Sequence, residues 1–121
     1  MHRLGLAFLL LTLAAAPAAA RPGEFSGRFT LYGTEPFWTV WLRPGHMRIH
    51  TDIDDFSVSA AGPLVRGHTA TWRSLPRHRV WSVTLRRARC SDGMSERVYP
   101  YEATVRIDGG ALHGCALRGA R

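Results

Sequence analysis

The sequence contains no lysine, so all sixteen basic side chains are arginines, set against nine acidic ones. It has only two cysteines, which excludes a disulfide-dense scaffold but allows one bridge. After residue 20 it has no long apolar run, which excludes a polytopic membrane protein. It also lacks a G-x-S-x-G motif, and with it the nucleophile elbow of many hydrolases. What remains is typical of one globular domain: 121 residues, 45% hydrophobic, with a net charge of +7.

The first twenty residues have the pattern of a secretory signal peptide. His2 and Arg3 form a short cationic start, and residues 4–16 form an apolar run too short to span a bilayer. Small residues at 18–20 predict cleavage after Ala20. We therefore expect a signal peptide over residues 1–20 and a single domain over residues 21–121, periplasmic or secreted. Because no cysteine follows the small residues, we expect no lipid anchor.

Export places Cys90 and Cys115 in an oxidising compartment, which predicts a disulfide between them. A bridge that closes a loop of this length stabilises a domain by roughly 3.5 kcal/mol. The alternative is a zinc site formed by the two cysteines and His113, but it needs reduced thiols. We therefore expect no metal and no cofactor.

Short stretches of alternating apolar and polar residues follow one another along the chain, separated by turn residues. Trp81, Val83 and Leu85 share one face of the clearest stretch. The pattern predicts an all-β fold, either a small antiparallel barrel or a sandwich. We favour a barrel of seven to eight strands with one disulfide, because closure removes exposed strand edges. Such a barrel resembles the lipocalins or the small barrels that inhibit lysozyme. The predicted strands are 25–32, 37–42, 46–51, 57–60, 68–73, 79–89, 101–107 and 111–117, with loops at 52–56 and 90–100. The predicted core is Trp38, Met47, Ile49, Trp72, Trp81, Val83, Leu85, Val105 and Ile107.

Two segments carry candidate ligand-binding residues. In residues 33–38, Trp38 belongs either to the core or to an exposed aromatic platform, and Glu35 either holds the turn or contacts a ligand. Residues 90–101 are longer than a hairpin needs, which is typical of a functional loop, although the loop could instead simply cover one barrel end. The candidates are Glu35, Trp38, Asp92, Ser95, Arg97 and Tyr99.

Four short motifs together resemble a family of small, uncharacterised bacterial envelope proteins, many of them labelled predicted lipoproteins. The motifs are GTEPFW (33–38), CSDGMS (90–95), YPY (99–101) and LHGCA (112–116). The resemblance covers nearly the whole chain after residue 20, but this chain lacks the lipid-accepting cysteine of the lipoprotein members. It implies an envelope location and implies no reaction. In size, strand number and single disulfide, the chain is also similar to the small barrels that inhibit c-type lysozyme.

Arginines are concentrated between residues 73 and 89, which indicates either a solubilising surface or an anion-binding one. Outside the cytoplasm the available anions are lipid headgroups and lipopolysaccharide phosphates. No nucleic-acid module pattern is present, so we expect no nucleic-acid partner. The candidate residues for an anionic surface are Arg77, Arg79, Arg86, Arg87 and Arg89.

These patterns favour a non-enzymatic envelope binding protein of unknown ligand, with no catalytic residues. The barrel mouth or the loop at 90–101 would contact a small ligand, an anionic lipid or lipopolysaccharide, or another protein. The alternative is a periplasmic inhibitor of a hydrolase such as lysozyme. Lysozymes are typically basic, so such an inhibitor needs a concentrated acidic loop, and residues 52–55 are the candidate.

Overall fold

A computed structural model describes residues 5, 7–12, 20–76 and 79–119. Most of the expected signal peptide, and Arg77 of the expected anionic surface, lie outside the described residues. Eight strands make up the fold: β1 (Phe29–Thr34), β2 (Phe37–Arg43), β3 (His46–Thr51), β4 (Asp55–Arg66), β5 (Thr69–Ser74), β6 (Trp81–Ser91), β7 (Val98–Ile107) and β8 (Gly110–Arg118).

The eight strands form a closed antiparallel barrel. Each strand pairs with the next along the chain, and β8 returns to pair with β1, where Tyr32 lies opposite Cys115. Closure leaves no strand of the barrel with an unpaired edge. The prediction of an all-β antiparallel barrel is confirmed. In the described part of the chain, no helix is long and apolar enough to cross a membrane.

Side chains that alternate along the strands fill the barrel interior. Trp81, Val83 and Leu85 of β6 are buried, and the register sets Val83 opposite Val105 of β7. Residues directly opposite in neighbouring strands point to the same face, so this register builds a continuous core. Of the nine predicted core residues, Ile107 is half-buried and packs against the core, and the other eight are buried.

Strand β4 corrects the sequence prediction most clearly. Residues 52–56 were expected to form a loop and 57–60 a weak strand, yet β4 begins at Asp55 and continues for twelve residues. It passes Gly62 and Pro63 through a bulge between Ala61 and Leu64, and Gly62 has a φ of 126° that favours glycine. Pairing with β3 and β5 on either side outweighs the weak local pattern.

The hairpin of β6 and β7 is also longer than expected. Residues 90–100 were predicted as a connection, but β6 continues to Ser91 and β7 begins at Val98. A bulge between Arg87 and Cys90 interrupts the register of this hairpin. Beyond it, Cys90 forms the predicted disulfide with Cys115 of β8, with the two Cα atoms 5.6 Å apart. The bridge fastens the hairpin tip to the barrel wall.

Residues 21–27 close one end of the barrel and are called the plug below. A strand was predicted from Phe25, but β1 begins only at Phe29. The Phe25 ring is buried, and its centroid lies 6.3 Å from that of Trp72 and 5.9 Å from that of Tyr101. Arg118 of β8 donates hydrogen bonds to the backbone carbonyls of Glu24 and Ser26. The plug is therefore held both by aromatic packing and by the last strand.

Candidate functional site

Two of the sequence motifs, GTEPFW and LHGCA, meet where β1, β2 and β8 adjoin. Trp38 of β2 is buried, and its indole lies against the backbone of Gly33 on β1 and close to Gly114 on β8. A Cβ at Gly33 would stand 1.8 Å from Trp38 Nε1, and one at Gly114 would stand 2.9 Å from Trp38 Cζ2. Both glycines leave room for the indole. Trp38 is therefore a core residue, as predicted, and its burial excludes the alternative of an exposed aromatic platform.

The hairpin tip joins the same region from outside the barrel. The Thr34 hydroxyl donates a hydrogen bond to the Asp92 carbonyl at 3.3 Å, and the rings of Tyr32 and Tyr99 lie 6.1 Å apart. Tyr99 is buried in this contact. A groove of about 390 Å³ lies beside the disulfide and carries both charged and hydroxyl groups. Its polar side chains include Tyr32, Thr34, Arg89, Asp92, Glu102 and His113.

Inside the hairpin tip, Asp92 organises the turn. Its Oδ1 accepts hydrogen bonds from the backbone N–H groups of Met94 and Ser95, each at 2.9 Å. These two bonds hold the pKa of Asp92 below its ordinary value. Ser95 also bonds to the Asp92 carboxylate, while the Arg97 guanidinium lies 5.0 Å from the centre of the Tyr99 ring. Asp92 and Ser95 thus bond to the turn itself.

The barrel end opposite the plug carries a second groove, of about 490 Å³, which we call the mouth. Ile49 is buried at its base, and Phe56 and Leu112 are half-buried and pack against the core. Ile53 stands at the rim with 91% of its surface exposed. The other lining residues are Pro36, Thr51, Asp52, Asp54, Arg79, Ile107, Asp108, Gly110 and Ala111. An apolar base with a few polar groups at the rim is typical of a small-molecule site.

Arg79 bridges the rim of the mouth. Its Nη1 bonds to Asp54 at 2.9 Å and its Nε to Asp108 at 2.7 Å, which links two turns of the barrel. The guanidinium carbon lies 4.6 Å from the centre of the Phe56 ring, within range for a cation–π contact. The hydrogen bonds that Arg79 donates to Asp54 and Asp108 raise its pKa above the ordinary arginine value. Arg79 therefore covers part of the apolar base while both aspartates fix its position.

At the plugged end, Arg87 forms a largely buried ion pair. Its Nη1 lies 3.2 Å from Glu24 Oε1, and only 6% of the Glu24 side chain is exposed. Nη2 of Arg87 contacts the ring of His68, and the backbone N of Arg87 bonds to the His68 carbonyl at 2.9 Å. The other Glu24 oxygen accepts a hydrogen bond from the backbone N of Arg21 at 3.3 Å. Glu24 thus ties the plug to β6.

The arginines expected to share an anionic surface lie at separate places. Arg79 binds two aspartates at the mouth, and Arg87 faces Glu24 at the plug. Arg86 lies on the outer wall, where its Nε bonds to Glu102 of β7 at 3.0 Å. The positive charges of these three residues are therefore paired with carboxylates of the chain itself. Of the set, Arg89 lines the groove beside the disulfide, and Arg77 lies outside the described residues.

Several residues at these sites were missed from the sequence. Glu35 is exposed in the turn between β1 and β2, next to Pro36 of the mouth, and its role there stays a prediction. Phe56 lies in the predicted loop at 52–56. Leu112 belongs to an alternating stretch and to the LHGCA motif, but neither pattern indicates a binding site. Glu24 precedes a buried phenylalanine in an arginine-rich chain, which was a usable signal for an ion pair. Alternation shows which face is apolar, but it does not show at which end of a barrel that face is open.

Within residues 20–76 and 79–119, no three histidine, cysteine, aspartate or glutamate side chains group closely enough to hold a metal ion. Comparisons of the chain with models of protein families, with curated proteins and with solved structures found no match. The resemblance to small envelope proteins therefore stays a prediction.

Proposed function

We propose that this protein is a non-enzymatic binding protein of the bacterial cell envelope that holds a small apolar molecule in its mouth. The mouth carries the proposal because it combines an apolar base with a polar rim at one end of a rigid barrel. The signal-peptide pattern of residues 1–20 and the disulfide support an exported protein.

The charge of the rim narrows the class of ligand. Asp52, Asp54 and Asp108 carry three negative charges against the one positive charge of Arg79. This net negative rim disfavours anions, although the protein as a whole is basic. We therefore expect neutral or cationic ligands with an apolar body, and Arg79 to form one wall of their site.

The inhibitor alternative loses support because its acidic loop is already engaged. Asp54 binds Arg79, and Asp55 binds Arg48 through two parallel bonds of 2.9 and 3.0 Å. Only Asp52 of the three aspartates has no ion-pair partner in the part of the chain that the structure describes. One carboxylate is a weak basis for recognising a basic enzyme.

Binding of a neutral naphthylamine probe tests the proposal. The fluorescence of the probe should rise on binding. Energy transfer from Trp81 to the bound probe should also be detectable, because the ring centroids of Trp81 and Phe56 of the mouth lie 5.2 Å apart. Substituting Ile53→Gln and Leu112→Gln together should weaken binding at least about tenfold, because burying one such side chain contributes about 1.5–3 kcal/mol. Leu64→Gln is the matched control, since Leu64 is exposed on β4 and outside the mouth.

Equal affinity in the mouth variant and in the control would overturn the proposal, as would an absence of probe binding by the wild type. Ile53 is almost fully exposed, so the single change Ile53→Gln keeps the test valid if the double variant unfolds. A lysozyme activity assay with the purified protein tests the alternative directly.

A further inference from the structure

A third groove, on the outer wall of β5, β6 and β7, combines two arginines with a serine between them. The register places Arg73 of β5 opposite Ser82 of β6, and Ser82 opposite Arg106 of β7. All three line one groove of about 500 Å³, and both arginines are exposed. Neighbouring strands are about 4.8 Å apart, so the two arginine Cα atoms lie roughly 10 Å from each other.

These two arginines differ from those that the chain pairs internally. Arg79, Arg86 and Arg87 each bind a carboxylate, whereas Arg73 and Arg106 have no carboxylate partner among residues 20–76 and 79–119. Asp108 also lines the groove, but its carboxylate bonds to Arg79 Nε at 2.7 Å. Two like charges held on one row of a sheet repel each other, and an anion between them relieves that repulsion.

We infer that this groove binds the phosphate of an anionic lipid, with Arg73 and Arg106 on the phosphate oxygens and the Ser82 hydroxyl between them. Guanidinium groups match phosphate geometry through paired N–H donors. The other wall of the groove is apolar, formed by Leu75, Pro76 and Val80. Val80 is 76% exposed, which suits contact with the acyl region beneath a headgroup. The inference rests on the proposed envelope role, but the mouth takes no part in it.

Co-sedimentation with vesicles tests this site. The vesicles are phosphatidylcholine with added phosphatidic acid, against pure phosphatidylcholine as the neutral surface. Changing Arg73→Gln and Arg106→Gln together should weaken binding about thirtyfold, the effect of losing two arginines at an anionic surface. The matched control is Arg28→Gln with Arg43→Gln, two exposed arginines outside the groove that give the same loss of net charge.

Equal losses in the two double variants would reduce the effect to general charge attraction and overturn the site. A second experiment adds inorganic phosphate or chloride, at equal ionic strength, to protein bound to the vesicles and measures how much protein is released. Because both salts screen charge equally, a difference between them reports phosphate recognition. Stronger release by phosphate supports the site, and equal release by both salts contradicts it. If the wild type does not bind the phosphatidic acid vesicles but binds inorganic phosphate in calorimetry, the lipid is excluded as the source.

The neutral naphthylamine probe keeps this result apart from the proposed function of the mouth. The Arg73→Gln, Arg106→Gln variant should bind the probe like the wild type, because neither residue lines the mouth. Loss of vesicle binding with intact probe binding assigns the phosphate site to the outer wall. Both changes lie at exposed positions, and a melting curve verifies that the variant remains folded.

Discussion

Trp38 lies so close to Gly33 that a single methyl group on the glycine would stand 1.8 Å from the indole Nε1. The two residues are directly opposite each other on β1 and β2. The indole occupies the space that a side chain at position 33 would fill. Packing thus explains the glycine and the tryptophan of the GTEPFW motif, which form one contact.

Gly33→Ala should therefore destabilise the protein by about 2 kcal/mol through overpacking, with a fall in melting temperature of about 10 °C. Gly110→Ala is the matched control, because the nearest atom to its added Cβ lies at an ordinary 3.4 Å. Thermal denaturation followed by circular dichroism measures both. Similar melting temperatures for the two variants would contradict this account of the contact.

The disulfide should be a main source of stability. Replacing both Cys90 and Cys115 by alanine should lower the melting temperature by roughly 10–20 °C, the effect of about 3.5 kcal/mol of lost loop constraint in a domain of this size. Reduction of the wild type should reproduce that shift. Two thiols that react freely in native, unreduced protein would show that the bridge does not form.

The ion pair between Glu24 and Arg87 should matter far more than the one between Glu102 and Arg86. Glu24→Gln leaves a largely buried guanidinium without its counter-charge, which costs about 3 kcal/mol. Glu102→Gln removes the same charge from a pair whose side chains are 44% and 58% exposed, and it should cost less than about 1 kcal/mol. Urea unfolding of both variants decides the order, and equal midpoints would show that the Glu24–Arg87 pair stabilises the fold no more than the exposed Glu102–Arg86 pair does.

Asp55 should give the protein a stability that is lost in acid. The hydrogen bonds from Arg48 hold the pKa of Asp55 below its ordinary value. A lowered carboxyl pKa stabilises the fold at pH values above about 4, the unfolded value, and this contribution disappears as the pH falls through the folded pKa. At pH 6 the wild type should therefore have a higher urea midpoint than Asp55→Asn, and this difference should shrink when the pH is lowered to 2.5.

At pH 6, Asp52→Asn should change the urea midpoint much less than Asp55→Asn does, because Asp52 has no ion-pair partner among the described residues. The two aspartates lie three positions apart, so the comparison holds the neighbourhood nearly constant. If the difference in urea midpoint between the wild type and Asp55→Asn does not change with pH, the charged carboxylate of Asp55 does not stabilise the fold.

The exported protein should begin at Arg21. Cleavage after Ala20 turns the backbone N of Arg21, which already lies 3.3 Å from Glu24 Oε2, into an ammonium group. That positive charge would strengthen the contact with a buried carboxylate. N-terminal sequencing of protein recovered from the periplasm or medium measures the start, and a sequence that begins at Met1 would contradict the cleavage.

Period-two alternation, as in β6, predicted short antiparallel strands with one buried face, and the need to protect strand edges favoured a closed barrel over a sandwich. Alternation was insufficient for β4, where the paired neighbours hold residues that have little strand pattern of their own. The sites were harder still. Phe56 and Leu112 come from strands β4 and β8, and Glu24 meets Arg87 across sixty-odd positions, so only three-dimensional closure brings them together. Local patterns do not contain that information.

The pairing of β8 with β1 has a consequence for how the barrel is made. Synthesis delivers β1 first of the eight strands and β8 last, so β1 and β7 must wait with unpaired edges that can capture other chains. Arg118, which holds the plug, also arrives with β8. Closing the sheet and completing the hold on the plug therefore both wait for β8, and until then the unpaired edges of β1 and β7 are open to pairing with other chains.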